Sequence, residues 1–250
     1  MRRDPDTFDW FQKYNGIRHI LDFILQNNVS HGDGVKCLSS PYQELDNDGT
    51  IFPTKDQCRV LIAGCGNSSL GQDMLRDGWN GAISNIDYSS VVISQMKNRC
   101  DEDFYRKIRA TLKREAREKR NEDKENSKLG AKMGIKSKIN EVTKMTFTCA
   151  DITKELEFSN ESFDIIINKG LLDSILCGNG SDANCRSMMQ ECSRLLDKQH
   201  GVMVIVSHGT PGDRLDFLQT TEWTGGIWHF PVLKPKVLTE RSDASSHSNG

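Results

Sequence analysis

The chain contains no Cys-x-x-Cys pair, although eight cysteines are spread along it: Cys37, Cys58, Cys65, Cys100, Cys149, Cys177, Cys185 and Cys192. No histidine stands at zinc-finger spacing from two of them, so neither a zinc site nor a dithiol redox motif is expected. Cys58 and Cys149 fall inside apolar segments, where a reduced thiol behaves as a small hydrophobe. Reduced cytosolic or nuclear thiols follow, with no disulfide framework and no metal. No apolar run approaches the roughly 20 residues of a membrane helix. The opening "MRRDPDTFDW" has two arginines but no apolar signal-peptide core, so a cytoplasmic protein is expected. A formal net charge of −2 gives no overall field that would recruit nucleic acid or an anionic membrane.

What is present suits one sizeable core. The chain has 250 residues, 36% hydrophobic and 27% charged, the balance of a soluble globular protein with some solvated sequence. Ile17, Ile20, Leu21, Ile24 and Leu25 recur on one face of an amphipathic helix. Residues 1–50 therefore read as an N-terminal helical lid followed by a Gly-, Asn- and Ser-rich loop. From residue 51 short apolar runs alternate with helical stretches. The runs are "RVLIAG", "AISNID", "MTFTCAD", "SFDIIIN" and "GVMVIVSHG". Strands that are nearly continuously apolar imply helices on both faces, hence a parallel doubly wound α/β sheet. Then "TTEWTGG" and "IWHFPVLKP" flank a Gly-Gly turn. Too little chain lies between them for a crossover, so an antiparallel C-terminal hairpin is expected. That makes seven strands in a Rossmann-like sheet over residues 51–238, with a polar, disordered tail at 239–250.

Residues 101–144 interrupt the alternation. They carry fourteen Lys or Arg against nine Asp or Glu, with charges at i, i+4 spacing that would support an exposed helix. The plain reading is a solvated insertion; the alternative is a cationic footprint for an acidic or RNA-bearing partner. No aromatics interleave its charged run from Arg106 onward, so base stacking is not indicated.

The stretch "VLIAGCGNSSLG" runs from strand to glycine turn to helix. Gly64 and Gly66 alone would mark only an ordinary turn. Asp87, however, ends the next strand 21 residues after Gly66, where nucleotide-binding doubly wound folds grip a ribose. Asp151 ends a further strand at the same edge. A dinucleotide would want Gly or Ala at the position of Ser69. An adenosine attached to a sulfonium amino acid fits the pattern better.

"VLIAGCGNSSLGQDML", "NIDYSSVVISQM", "CADIT" and "FDIIINKGLLDSIL" together resemble the class I S-adenosylmethionine-dependent methyltransferases, and within them the elongation factor 1A lysine methyltransferase (methyltransferase-like 13) branch. The resemblance spans about residues 7–100 and 145–235, and "FDWFQKYNGI" resembles that family's aromatic opening segment. It implies S-adenosyl-L-methionine as cofactor and a protein lysine as methyl acceptor. It also implies Trp10 against the cofactor, Gly64 and Gly66 under its methionine end, and Asp87 on the ribose. Tyr88, Asp151 and Ile152 would lie beside the adenine, with Asn168 and Lys169 near the sulfonium and the substrate entrance. Two departures stand out. The family has an acidic residue where this chain has Asn168, and a threonine where it has Leu171.

Methyl transfer is an in-line displacement that depends on positioning and exclusion of water. No firm general base follows. Asp173 is the nearest carboxylate, with ordering of a loop or helix start as its plainer role. His208 and the Trp228–His229 pair have packing or backbone hydrogen bonding as their plain readings. Two alternatives to lysine methylation remain: methylation of a small-molecule amine, thiol or hydroxyl, and a catalytically weak cofactor-binding interaction module.

Overall fold

The computed structural model describes residues 8, 9, 11–27, 35–37, 52–126, 142–221, 223, 226–230 and 232. The expected tail at 239–250, Trp10 and residues 127–141 of the charged insertion lie outside the described residues.

All five apolar runs form strands of one sheet. These are β2 (Arg59–Ala63), β3 (Ala82–Asp87), β4 (Thr146–Cys149), β5 (Ile165–Lys169) and β6 (Val202–Val206). Their order is β4-β3-β2-β5-β6, and every pairing is parallel. The chain winds outward from β2 to β4, then returns to β5 on the other side of β2. The switch point therefore falls between β2 and β5, where ligands bind at the carboxyl ends of open α/β sheets.

Alternation divides the core. Val60, Ile62, Ile165 and Ile167 face one layer, built on α1 (Tyr14–Asn27), α2 (Leu70–Arg76), α3 (Ser90–Arg99) and α4 (Glu102–Asn126). Leu61, Ala63 and Ile166 face the other, built on α5 (Leu171–Leu176) and α6 (Ser181–Leu195), with Phe217 and Leu218 of α7 (Pro211–Leu218) packed against it. Both faces of β2 and β5 are thus buried, which is why these strands read as apolar without alternation.

α1 docks as its pattern implies: Ile17, Ile20, Leu21 and Ile24 are buried and Leu25 packs against them. A polar hub fixes it to the end of α2. Asp77 accepts from the Tyr14 hydroxyl at 2.6 Å and from Lys55 Nζ at 2.7 Å, and pairs with Arg18 at 2.7 Å.

The strand count and the hairpin depart from expectation. Among the described residues the main sheet has five strands. β7 (Ile227–His229) pairs in parallel with β1 (Val35–Cys37) in a separate two-stranded sheet. No described residue of 220–226 is in a strand. The Gly-Gly signal is local, whereas the partner that β7 finds lies near the other end of the chain.

At the amino-terminal edge of the sheet, Asp164, Asp197 and His200 bring three potential metal-ligand atoms within 4.8 Å of one another. A cation already fills that place. The Arg59 guanidinium donates to Asp164 at 2.5–3.2 Å and to Asp197 at 3.4 Å, while His200 Nε2 lies 2.9 Å from Asp164. Burial acts to raise the Asp164 pKa, but the Arg59 side chain, its main-chain N–H and His200 outweigh it and hold the carboxyl below the usual range. A depressed folded pKa gives stability that is present above the unfolded value of about 3.9 and lost as the pH falls through the folded one. Arg59→Gln is therefore expected to raise the midpoint of acid unfolding, followed by circular dichroism below pH 5. An unchanged midpoint would remove Arg59 from this account.

Among the described cysteines, Cys58, Cys65, Cys100, Cys185 and Cys192 are buried, and Cys149 and Cys177 are exposed. The apolar-segment reading holds for Cys58 and fails for Cys149, whose strand is the sheet edge. Burial pushes the Cys65 and Cys192 thiols up to about 12 and Cys100 up to about 11, and only the thiolate is nucleophilic. Brief iodoacetamide treatment of the native protein should modify Cys149 and Cys177 and spare the buried five, as peptide mass mapping would show. Early labelling of Cys65 would contradict its packing.

Candidate active site

The glycine turn connects β2 to α2 at the switch point. Gly64 has φ +65° and Gly66 φ +51°, a region that glycine enters without steric cost. Their surroundings differ. A Cβ on Gly64 would lie 3.0 Å from Leu171 Cβ and 2.9 Å from its Cδ1, so turn and α5 meet there backbone to side chain. A Cβ on Gly66 would meet nothing within 4 Å. The bare main chain at Gly66 therefore faces open space at the ligand edge.

Three groups hold the turn. Asp87, nearly buried at the end of β3, accepts from Gly66 N through Oδ2 and from Ser89 N through Oδ1, both at 2.9 Å. A carboxylate offers about four acceptor positions, so two remain after these bonds. Arg99, in the last turn of α3, donates to the carbonyls of Asn67 at 3.0 Å and Ser68 at 2.8 Å. Asp9 arrives from the N-terminal segment. It accepts from the Ser68 hydroxyl through Oδ1, from the Ser69 hydroxyl through Oδ2 at 3.4 Å, and from Lys169 Nζ at 3.1 Å. Both members of the Asp9–Lys169 pair are nine-tenths or more buried.

Strand alternation decides what β5 contributes. Lys169 shares the face of Ile165 and Ile167 and meets Asp9. Asn168 shares the face of Ile166 and is fully enclosed. Its Oδ1 accepts from Leu172 N at 3.0 Å and its Nδ2 lies 3.3 Å from Met188 Sδ. Asn168 thus caps the start of α5, and its amide is occupied on the helix side of the sheet.

The remaining candidates are dispersed along the same edge. Tyr88 is 80% exposed. Asp151 is exposed, with Oδ1 accepting from Thr153 N at 3.0 Å and the Thr153 hydroxyl at 2.8 Å. Ile152 is buried in the α5–α6 layer. Asp173 accepts from Ser207 Oγ and Arg214 Nη2, each at 2.8 Å, and from His208 N at 3.3 Å, so it orders the loop after β6. His208 lies 5.7 Å from the ring of Phe11, a second contact between the N-terminal segment and this edge. Trp228 and His229 are half-buried on β7.

Sequence reasoning singled out Trp10 and passed over its neighbour Asp9. One signal was available. A lysine ending an otherwise apolar buried strand needs a counter-charge, and "FDWF" supplies an acid among aromatics. Arg99 gave no such signal.

A parallel sheet, a glycine turn at its switch point and an acid ending the neighbouring strand define a Rossmann-like ligand edge. No protein-family model matches the chain. Its similarity is to S-adenosylmethionine-dependent methyltransferases, and among curated proteins to those acting on eEF1A. It is 30% identical over 122 residues to the bovine (Bos taurus) "eEF1A lysine and N-terminal methyltransferase", a match covering 49% of this chain and 12% of that protein. It is 25% identical over 146 residues to mouse (Mus musculus) "EEF1A lysine methyltransferase 4", covering 55% of this chain and 41% of that one. The chain therefore spans less than half the length of either relative. Among solved structures, a SAM-dependent methyltransferase from Methanosarcina mazei is 17% identical with a TM-score of 0.37, over 58% of this chain and 50% of that one. An S-adenosylmethionine-dependent methyltransferase from Mesorhizobium loti is 15% identical with a TM-score of 0.31, over 58% and 44%.

Proposed function

We propose that this chain is a methyltransferase domain that uses S-adenosyl-L-methionine to methylate a lysine amine of a protein substrate. The observation that carries the reading is the open main chain at Gly66, tied to Asp87 by a hydrogen bond. In this reading the amino-acid end of the cofactor lies along Gly64–Gly66. The unused acceptor positions of Asp87 take the ribose hydroxyls. Asp151 accepts from the adenine amino group through Oδ2, Tyr88 covers the ring, and Ile152 backs it from the core. Trp10, outside the described residues, is assigned to the cofactor by the resemblance alone. When bound, the sulfonium supplies the methyl group, and the acceptor nitrogen must reach it as a neutral amine, having lost a proton from a group of pKa about 10.4. Asn168 and Asp173 act by fixing α5 and the loop after β6, and Lys169 by holding Asp9 and with it the N-terminal segment.

The curated relatives act on eEF1A by name, so an elongation-factor-like protein, met in the cytoplasm, is the proposed substrate. Thermal-shift titration with S-adenosylmethionine, its demethylated product and NAD tests the cofactor. At 100 times the dissociation constant a ligand stabilises by about 2.7 kcal/mol. A response to NAD alone would overturn the assignment, and no response to the first two would leave an interaction module. Labelled methyl transfer into a lysate, resolved by mass, then separates protein from small-molecule acceptors. Gly66→Ala adds one methyl group into the open space and a strain of about 1–2 kcal/mol at positive φ. It should abolish the cofactor response while the protein stays folded. A full response in that variant would place the ligand elsewhere.

A further inference from the structure

The charged insertion is more ordered in its chemistry than its composition implies. The described part of α4 is amphipathic in an unusual sense. Phe104, Tyr105, Ile108 and Leu112 lie on the packed side, with Tyr105 and Ile108 buried. At about 100° per residue, Arg106, Lys107, Arg109, Lys113, Arg114 and Arg117 fall within an arc of about 160° on the opposite side. These six cations extend over roughly 17 Å of helix. Arg106, Lys107 and Arg114 are 75%, 76% and 71% exposed. Asp103 pairs with the first two and Glu118 lies 3.8 Å from Arg114. Arg109, Lys113 and Arg117 have no ion pair among the described residues. The apolar side stops at Leu112, so nothing in the core accounts for cations continuing beyond it.

We propose that this face of α4 binds the phosphate backbone of double-stranded RNA. Charge chooses a polyanion: residues 101–144 hold fourteen Lys or Arg against nine acids, while the whole chain has 33 against 35. The field is therefore confined to this segment, with an acidic remainder. Three absences on the face then choose among polyanions. It has no apolar or aromatic anchor, which the core of a protein interface requires. It has no aromatic ring on which unpaired bases would stack, so single strands gain little. Its four arginines can pair with guanine, but it carries no Asn or Gln to read adenine edges from a DNA major groove. Double-stranded RNA is recognised by its shape and its phosphates, and a row of exposed arginines and lysines answers that requirement. Arginine, the commoner of the two here, binds phosphate in two-pronged fashion.

The test is fluorescence anisotropy of a labelled RNA duplex of about 20 base pairs, titrated with the full chain. Between about 50 and 200 mM salt, release of counterions from four neutralised phosphates lowers affinity by about 100-fold. Arg109→Glu/Lys113→Glu/Arg117→Glu should abolish binding. Lys113→Ala/Arg117→Ala, at two exposed positions, should weaken it at least tenfold while the melting temperature stays that of the parent. Binding unchanged in the double variant would overturn the proposal. So would equal or tighter binding of poly-glutamate, of a single strand, or of a DNA duplex of the same sequence, and so would no binding at the lower salt.

Discussion

Asp87→Ala is expected to abolish the thermal stabilisation conferred by S-adenosylmethionine and to lower the stability of the unliganded protein as well. Two effects combine. The substitution removes the acceptor positions proposed for the ribose hydroxyls. It also strands Gly66 N and Ser89 N, the donors that Asp87 fixes at 2.9 Å. Both donors are part-buried, so losing their acceptor costs at most about 1–3 kcal/mol. Asp87→Asn separates the parts, because it keeps one acceptor oxygen and turns the other position into a donor facing an N–H. It should fold better than the alanine variant yet bind cofactor at least tenfold more weakly than the parent. The measurements are calorimetric affinity and unliganded melting temperature. If Asp87→Ala keeps parental affinity, the ribose is not at β3 and the proposed site is wrong.

The second large effect is expected at Asp9. Removing one partner of a buried ion pair is strongly destabilising, by up to about 3–5 kcal/mol. Asp9→Ala removes the carboxylate that Lys169 meets at 3.1 Å and that also takes the two serine hydroxyls. Lys169→Met is milder, because Asp9 keeps those hydroxyls as donors. The order should therefore be Asp9→Ala worse than Lys169→Met, with the double variant Asp9→Ala/Lys169→Met less destabilised than the sum of the two. For a chain of this length about 3 kcal/mol corresponds to roughly 6–12 °C in melting temperature. Hydrogen exchange should rise first in residues 8–13, the segment that Asp9 holds against the glycine turn. Equal effects of the two single substitutions, or strict additivity, would show that the pair does not hold the segment.

Both predictions rest on contacts that the sequence disclosed unequally. Asp87 was legible because β3 and β2 are adjacent parallel strands, so the end of one apolar run must lie beside the end of the other. The five strands and the buried face of α1 were legible for the same reason, since burial on both sides or on one side leaves its period in the sequence. Asp9 was legible only as a possible counter-charge, not as the partner of particular residues. Its partners Ser68 and Lys169 lie 59 and 160 residues away, and no periodicity encodes a pairing at that distance. Asn168 was recognised as a position on the strand but not as a cap of α5. A motif gives order along the chain, while strand parity and the path of the following helix give direction.

The sequence alone determined the layering of the protein, the glycine turn, the acid that faces it and the net positive excess of one inserted stretch. These are consequences of local periodicity and of residue chemistry at fixed spacing. Tertiary structure alone decided that, among the described residues, the main sheet has five strands and β7 pairs with β1. It also decided that Lys169 and not Asn168 meets the N-terminal segment, and that the side of α4 opposite the cations is the one packed on the core. The physical reason is common to these cases. Each depends on which of two faces a residue presents, or on which distant segment arrives there, and only the packed chain selects between them.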